Sequence, residues 1–259
     1  MLGQLRSVSA LESGTSGASH LIETANGRFV AKCFAPGSLE LLGPAEQFAL
    51  LEALADSGIV ARPAGYDADY RLLVTEFIES AWPVSRDRLT RPATIAAIAA
   101  GLRKLHAAEV DIPRFVPVGY AERYVDRIGG PDALPALERQ RYDELIELAS
   151  LLDGVPGCLC HNDLAIGNLL FNEGLHLVDF DYAAIAPAVI DLASLTTLNE
   201  FSEKETALLL DASFADEPRF PAPEFARVER LMRLVAHFWS LASADPGAAI
   251  VAKYRIRDD

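Results

Sequence analysis

The stretch from Cys160 to Leu192, CHNDLAIGNLLFNEGLHLVDFDYAAIAPAVIDL, constrains this chain more than any other. It holds His161-x-Asp163-x4-Asn168, a short hairpin pattern, and then Asp179-Phe180-Asp181. Leu169 to Phe171 and Leu175 to Val178 are short apolar runs. Asn172-Glu173-Gly174 between them is turn chemistry, because glycine takes positive φ without steric penalty. Pairing Phe171 with Leu175 puts Asn168 within one residue of Asp179. An amide oxygen and a carboxylate then sit at one end of two paired strands. Mg²⁺ takes hard oxygen ligands and keeps waters and substrate phosphates for the rest of its shell. Asp163 falls on the loop ahead of the hairpin, where it can accept a proton from a hydroxyl. A catalytic carboxylate, a neutral oxygen ligand and a second carboxylate at this spacing are the parts that phosphoryl transfer from Mg-ATP to a hydroxyl requires. His161 reads as packing beneath the loop, not as a base. Asp179 alone could be a strand-end cap, and Asp181 a solvated turn residue.

The N-terminal third reads as strands. Leu5 to Leu11, His20 to Thr24 and Phe29 to Phe34 are the candidates, with Asn26-Gly27 a strong two-residue hairpin signal. Ser13, Gly14 and Thr15 open a small-residue loop (SGTSG) whose backbone amides could lie over phosphates; an ordinary β-turn would have the same composition. Strand alternation puts Val30, Lys32 and Phe34 on one face. A lysine between apolar neighbours either snorkels at an edge or points into a cleft. Pro44 to Ala55 has Phe48, Leu51 and Leu54 at helical spacing, and Pro44 suits a helix start. Glu46 lies in its first turn, which the helix dipole alone would favour. Arg71 to Ile78 is a further strand, running into Glu79-Ser80-Ala81-Trp82-Pro83.

These motifs resemble the catalytic and metal-binding loops of the aminoglycoside phosphotransferase and choline kinase superfamily, nearest to bacterial choline, ethanolamine and thiamine kinase-like members. LASLTTLNEFSEKETALLLDASF after Asp191 reads like theirs too. The resemblance implies an α+β, protein-kinase-like fold. Residues 1–78 would form a small antiparallel nucleotide-binding lobe, and 79–259 a larger, mostly helical lobe. It implies Asp163 as catalytic base, Asn168 and Asp179 as magnesium ligands, and Asp191 as a buried anchor for the catalytic loop. Lys32 would bind the ATP phosphates, fixed by Glu46. Backbone groups of Glu76, Phe77 and Ile78 would face the adenine edge. In choline-kinase-like proteins the quaternary ammonium sits against aromatic rings. Trp239 matches one tryptophan of the family's paired segment, but the position three residues on is Ala242, which leaves that cage incomplete. Trp239 could equally be core. Asp181 and Tyr182 are the next candidates for the substrate cation.

Composition excludes several classes. The formal net charge is −14 with no basic stripe, which argues against nucleic acid as a partner. An acidic protein suits a cationic acceptor, or its acidity serves only solubility. No apolar run reaches membrane-span length, and MLGQLRSVSALESG lacks a signal-peptide core. Three cysteines make no disulfide framework, and a reduced cytoplasmic setting fits. Cys158 and Cys160 with His161 lack the second pair of a zinc motif; sharing one strand face, they read as apolar packing. After Pro83 the chain looks helical for most of its length, from Thr94 to Ala108, Leu137 to Leu152, Glu203 to Ala212 and Pro223 to Ser243. Leu105-His106 matches a recurrent pair of the superfamily, with His106 in a packing or capping role. The expected protein uses ATP and Mg²⁺ to phosphorylate a small-molecule alcohol, cationic and of the choline, ethanolamine or thiamine type. The alternatives are an antibiotic kinase, a nucleotide-binding pseudokinase, and a metallohydrolase built on His161, Asp163 and Asp179.

Overall fold

The computed structural model describes residues 3–11, 17–36, 39–214, 221–243 and 256. The small-residue loop of Ser13, Gly14 and Thr15, and Tyr254 near the end, lie outside the described residues. The chain opens with β1 (Leu5–Ala10), β2 (Gly17–Thr24) and β3 (Gly27–Phe34). Helix α1 (Pro44–Leu54) follows, then β4 (Pro63–Asp67) and β5 (Leu72–Glu76). The five strands form one antiparallel sheet in the order β1-β2-β3-β5-β4. β4 is not apparent in the sequence, because PAGYD carries three residues depleted from strands. As an edge strand it tolerates them.

The first hairpin turns one residue earlier than its Asn-Gly signal suggests. Thr24 pairs with Gly27, so Ala25 and Asn26 form the loop. The Thr24 hydroxyl decides this: it accepts from the Asn26 N–H at 3.1 Å and donates to the Gly27 carbonyl at 3.1 Å. Gly27 closes the turn at φ 144°, a conformation that strongly favours glycine.

The remainder is mainly helical. It begins with the two-residue β6 (Trp82–Pro83) and the short α2 (Arg86–Leu89), then α3 (Pro92–His106), α4 (Pro117–Arg127) and α5 (Ala136–Ala149). β7 (Cys158–Cys160), β8 (Leu169–Phe171), β9 (Leu175–Leu177) and β10 (Ala184–Ala186) are three-residue strands carrying the loops of interest. Helices α6 (Val189–Leu198), α7 (Glu203–Ser213) and α8 (Ala222–Ala242) complete the fold. Among the described residues no helix is long and apolar enough to cross a membrane.

The main core lies in this helical part. α3 buries Ile95, Ile98, Leu102 and Leu105, one stripe at 3.6-residue spacing. α8 buries Phe225, Val228, Leu231, Val235 and Phe238 in the same manner and packs against α4, α5 and α6. The sheet has only a small cluster of its own, Phe29, Ala31 and Val74. Contacts tie the N-terminal part to the rest: Val60 bridges to Leu177 of β9, and the Leu41 and Leu42 N–H groups donate to the Asp181 carbonyl at 2.8 and 3.1 Å.

Candidate active site

β7 delivers the chain into His161-Asn162-Asp163. Asp191, in the first turn of α6 and fully buried, fixes this loop from behind. One of its oxygens accepts from the His161 N–H at 3.1 Å, the other from the Asn162 N–H at 2.8 Å. The first also meets His106 Nε2 at 2.9 Å. Ser194, one turn further along α6, accepts from the Leu164 N–H and donates to the Asn162 carbonyl. Asn162 takes φ 64° and donates its amide to the Tyr182 carbonyl at 2.9 Å. The loop is thus held on both sides of Asp163 while Asp163 faces a cavity.

His161 is buried beside the Phe180 ring, 4.6 Å between centroids. Its Nε2 faces the Val178 carbonyl at 2.9 Å, and its Nδ1 accepts from the Asp163 N–H at 3.3 Å. That network assigns the proton to Nε2. Burial holds the ring's pKa below the usual histidine value, so it is a neutral spacer.

The β8–β9 hairpin pairs Phe171 with Leu175 and Leu169 with Leu177. The Val178 N–H donates to the Asn168 carbonyl at 3.1 Å, which brings Asn168 next to Asp179. Asn168 Nδ2 donates to the Asp163 carbonyl at 2.9 Å and to its carboxylate at 3.0 Å. Asn168 Oδ1 and the Asp179 carboxylate are hard oxygen donors at one corner of the cavity, a donor set that fits Mg²⁺. Asp179 sits at φ 71°, an uncommon conformation outside glycine. Desolvation pushes the Asp163 carboxyl up to about 7, and the negative charges of Asp179 and Asp181 add to it. A carboxylate poised near neutrality is suited to proton transfer.

Lys32 reaches across from β3 and pairs with both Asp179 and Asp181. Burial opposes its charge, but the two carboxylates outweigh burial and raise its pKa. Two expectations need correction here. Glu46 does not hold Lys32; it is exposed on α1, and its neighbour Gln47 points inward. Gln47 Nε2 donates to the Asp181 carboxylate at 2.7 Å and to the Leu42 carbonyl at 3.0 Å. Asp181 is 1 % exposed against Lys32 and Gln47, and is not part of the cavity wall, so it does not face an acceptor substrate there.

At the end of β5 the Glu76 N–H is taken by the Arg62 carbonyl and the Phe77 N–H by the Arg28 carbonyl. The Ile78 N–H makes no hydrogen bond among the described residues.

The cavity beside Asp163 has a volume of about 390 Å³. Tyr120 and Tyr124 of α4, Trp239 of α8, and Phe115 and Tyr182 give it an aromatic wall. Trp239 Nε1 donates to the Tyr182 hydroxyl at 2.9 Å, fixing both rings. Asp163 and Asp179 are its only lining carboxylates among the described residues. Tyr120 and Tyr124 escaped the sequence reading, which sought Trp239's partner on its own helix. Their spacing four residues apart does put two rings on one helix face.

Residues 7–230 match the phosphotransferase enzyme family, APH. The chain belongs to that family. This phosphotransferase-family chain is 27 % identical over 187 residues to choline/ethanolamine kinase of Rattus norvegicus, a match covering 65 % of the chain and 44 % of the rat protein. It therefore spans less than half the length of the curated relatives it matches. In fold it is similar to choline kinase LicA from Streptococcus pneumoniae, with a TM-score of 0.83 and 24 % identity over 97 % of this chain and 91 % of that one. It is also similar to the ADP-bound aminoglycoside phosphotransferase APH(2'')-Ib, with a TM-score of 0.66 and 17 % identity over 98 % and 88 % of the two chains. The fold is therefore the α+β, protein-kinase-like one, a small antiparallel sheet beside a helical part.

Proposed function

We propose that this chain is an ATP- and Mg²⁺-dependent small-molecule kinase whose acceptor is a compact quaternary amino alcohol of the choline type. The observation that carries the reading is the aromatic cavity ending at Asp163. A quaternary ammonium has no N–H to satisfy and is attracted by ring faces, at about 0.5–2 kcal/mol each. A wall of tyrosines and a tryptophan without further carboxylates meets that need. A polycationic antibiotic calls for several acidic partners, which this wall lacks. Tyr120 Oη and Asn162 Oδ1 are buried without a hydrogen-bond partner among the described residues, which favours a primary ammonium such as ethanolamine as the second reading.

In this reading the nucleotide lies between residues 1–78 and 79–259, with Ile78 N–H offered to the adenine edge and Lys32 to the phosphates. Asn168 and Asp179 would hold Mg²⁺, which would supply positive charge against the phosphates. Asp163 holds the acceptor hydroxyl in line and takes its proton. Asn168, donating to Asp163, orients that carboxylate. The wall holds the cation so that the hydroxyl alone reaches the loop, and the bimolecular encounter becomes a positioned one.

The test is Mg-dependent ADP formation with choline, ethanolamine, thiamine and a small aminoglycoside set. Choline is expected to give the highest kcat/KM. A preference for an aminoglycoside would overturn the acceptor assignment, and bound ATP with no stimulated turnover would favour a pseudokinase. Trp239→Ala tests the wall separately. Losing one ring and its hold on Tyr182 is expected to raise the choline KM about tenfold, equivalent to roughly 1.4 kcal/mol, with kcat little changed. An unchanged KM removes Trp239 from the acceptor site.

A further inference from the structure

A second cluster of reactive side chains lies directly behind the catalytic loop. Cys158 and Cys160 alternate along β7 and present their thiols to the same side, with Sγ atoms 3.8 Å apart. Both turn toward the Ala186 carbonyl of β10, at 3.5 and 3.3 Å. His106, the last residue of α3, brings its ring to this pair. One ligand atom from each of the three residues lies within 4.8 Å of the others. The thiols are free. The histidine that the sequence places beside them, His161, instead turns to the Val178 carbonyl.

We propose that His106, Cys158 and Cys160 form a binding site for one thiophilic divalent cation of the Zn²⁺ class, with water as the fourth ligand. Three features of the geometry support it. Two thiolates on a tetrahedral zinc at about 2.3 Å lie roughly 3.8 Å from each other, the separation found here without rearrangement. His106 Nε2 is already engaged by the Asp191 carboxylate at 2.9 Å, and Nδ1 has no hydrogen-bond partner among the described residues. A carboxylate behind a histidine is the usual support of a metal-bound imidazole, because it fixes the tautomer and ring orientation. Cys158 is partly exposed while Cys160 is buried, so the site has an entry and a closed floor. Binding releases the two thiol protons to solvent and forms two metal–sulfur bonds, with no change of oxidation state.

The position gives the ion a role. It would clasp the end of α3 to β7. Through Asp191 it would also bear on the backbone of His161 and Asn162, the residues leading to Asp163. The site uses none of the residues assigned to phosphoryl transfer, so it stands whether or not the acceptor assignment does.

Co²⁺ is the probe, because thiolate ligation gives an intense near-ultraviolet charge-transfer band that oxygen ligands do not. The 259-residue chain is expected to develop this band and saturate it at one equivalent, with Zn²⁺ abolishing it by displacement. Cys158→Ser, a near-isosteric change at a partly exposed position, is expected to lose the band while retaining the wild-type circular dichroism. On the wild-type protein, Zn²⁺ is expected to protect Cys158 from a thiol reagent while the exposed Cys33 reacts at its usual rate, and a chelator restores the reaction. Absence of the band in the wild type, its persistence in Cys158→Ser, or equal reactivity of Cys158 with and without Zn²⁺ would each overturn the proposal.

Discussion

Asp163→Asn is expected to lower kcat by about 10²–10⁴-fold, the range typical for removing a positioned general base. The amide keeps the shape of the carboxylate and can still accept from Asn168 Nδ2, so the loop has no steric reason to move. It cannot take the hydroxyl proton. Nucleotide affinity should stay within about twofold, because Lys32 and the Asn168–Asp179 corner are untouched. Stability should hold or rise. The wild-type carboxyl is pushed up to about 7 by desolvation and by Asp179 and Asp181, so its charge is a burden to the fold. Steady-state ADP release, nucleotide titration and a melting curve on one preparation check all three. Retention of more than a third of wild-type kcat would falsify the base assignment.

Asp191→Ala is expected to destabilise the protein by about 3–5 kcal/mol, the range for removing one partner of a buried charged network. The carboxylate is fully buried and receives two backbone N–H groups and a histidine. Alanine leaves both backbone N–H groups in a dry interior without an acceptor and takes the partner from the half-buried His106 ring, and unsatisfied buried donors are the costly outcome. The corresponding fall in Tm is roughly 6–20 °C for a chain of this size. At temperatures where the variant stays folded, kcat should still fall, because Asn162 then loses one of its restraints ahead of Asp163. Urea denaturation read with the m-value settles the stability part: a lower midpoint at unchanged slope is the expected pattern. A loss below about 1 kcal/mol would show that water or Ser194 replaces the anchor.

The parts of the site that the sequence made legible are those fixed by local geometry. Asn168 and Asp179 are brought together by a hairpin whose turn chemistry and register follow from fewer than a dozen residues, and Phe171 does pair with Leu175. Alternation put Lys32 on one strand face with Val30 and Phe34, whose ring lies 4.7 Å from the Lys32 ammonium, and the family resemblance chose the cleft over a solvent edge. What failed depends on rotation and distance. Glu46 and Gln47 differ by one residue, about 100° around a helix. Pro44 sets where α1 starts, but only its packing, through Gln47 on Asp181, sets which side chain faces in. The aromatic wall joins Tyr120 and Tyr124 to Trp239 across more than a hundred positions, and no local period carries such a pairing. His106 reaches the cysteines for the same kind of reason: α3 ends where β7 passes.

The cavity has two ends built by different parts of the chain. Asp163, Asn168 and Asp179 come from loops tied tightly by backbone hydrogen bonds, while the opposite wall comes from side chains on α4 and α8. In the proposed reading, a substitution at Tyr120 or Tyr124 alters what the wall recognises without touching the hydrogen bonds that hold the loops. Acceptor preference can therefore drift in a lineage by single steps, each leaving a working phosphoryl-transfer apparatus. Selection on the two ends is separable. Descendants of one such ancestor could come to serve unrelated alcohols while the sequence from Cys160 to Leu192 stays recognisable.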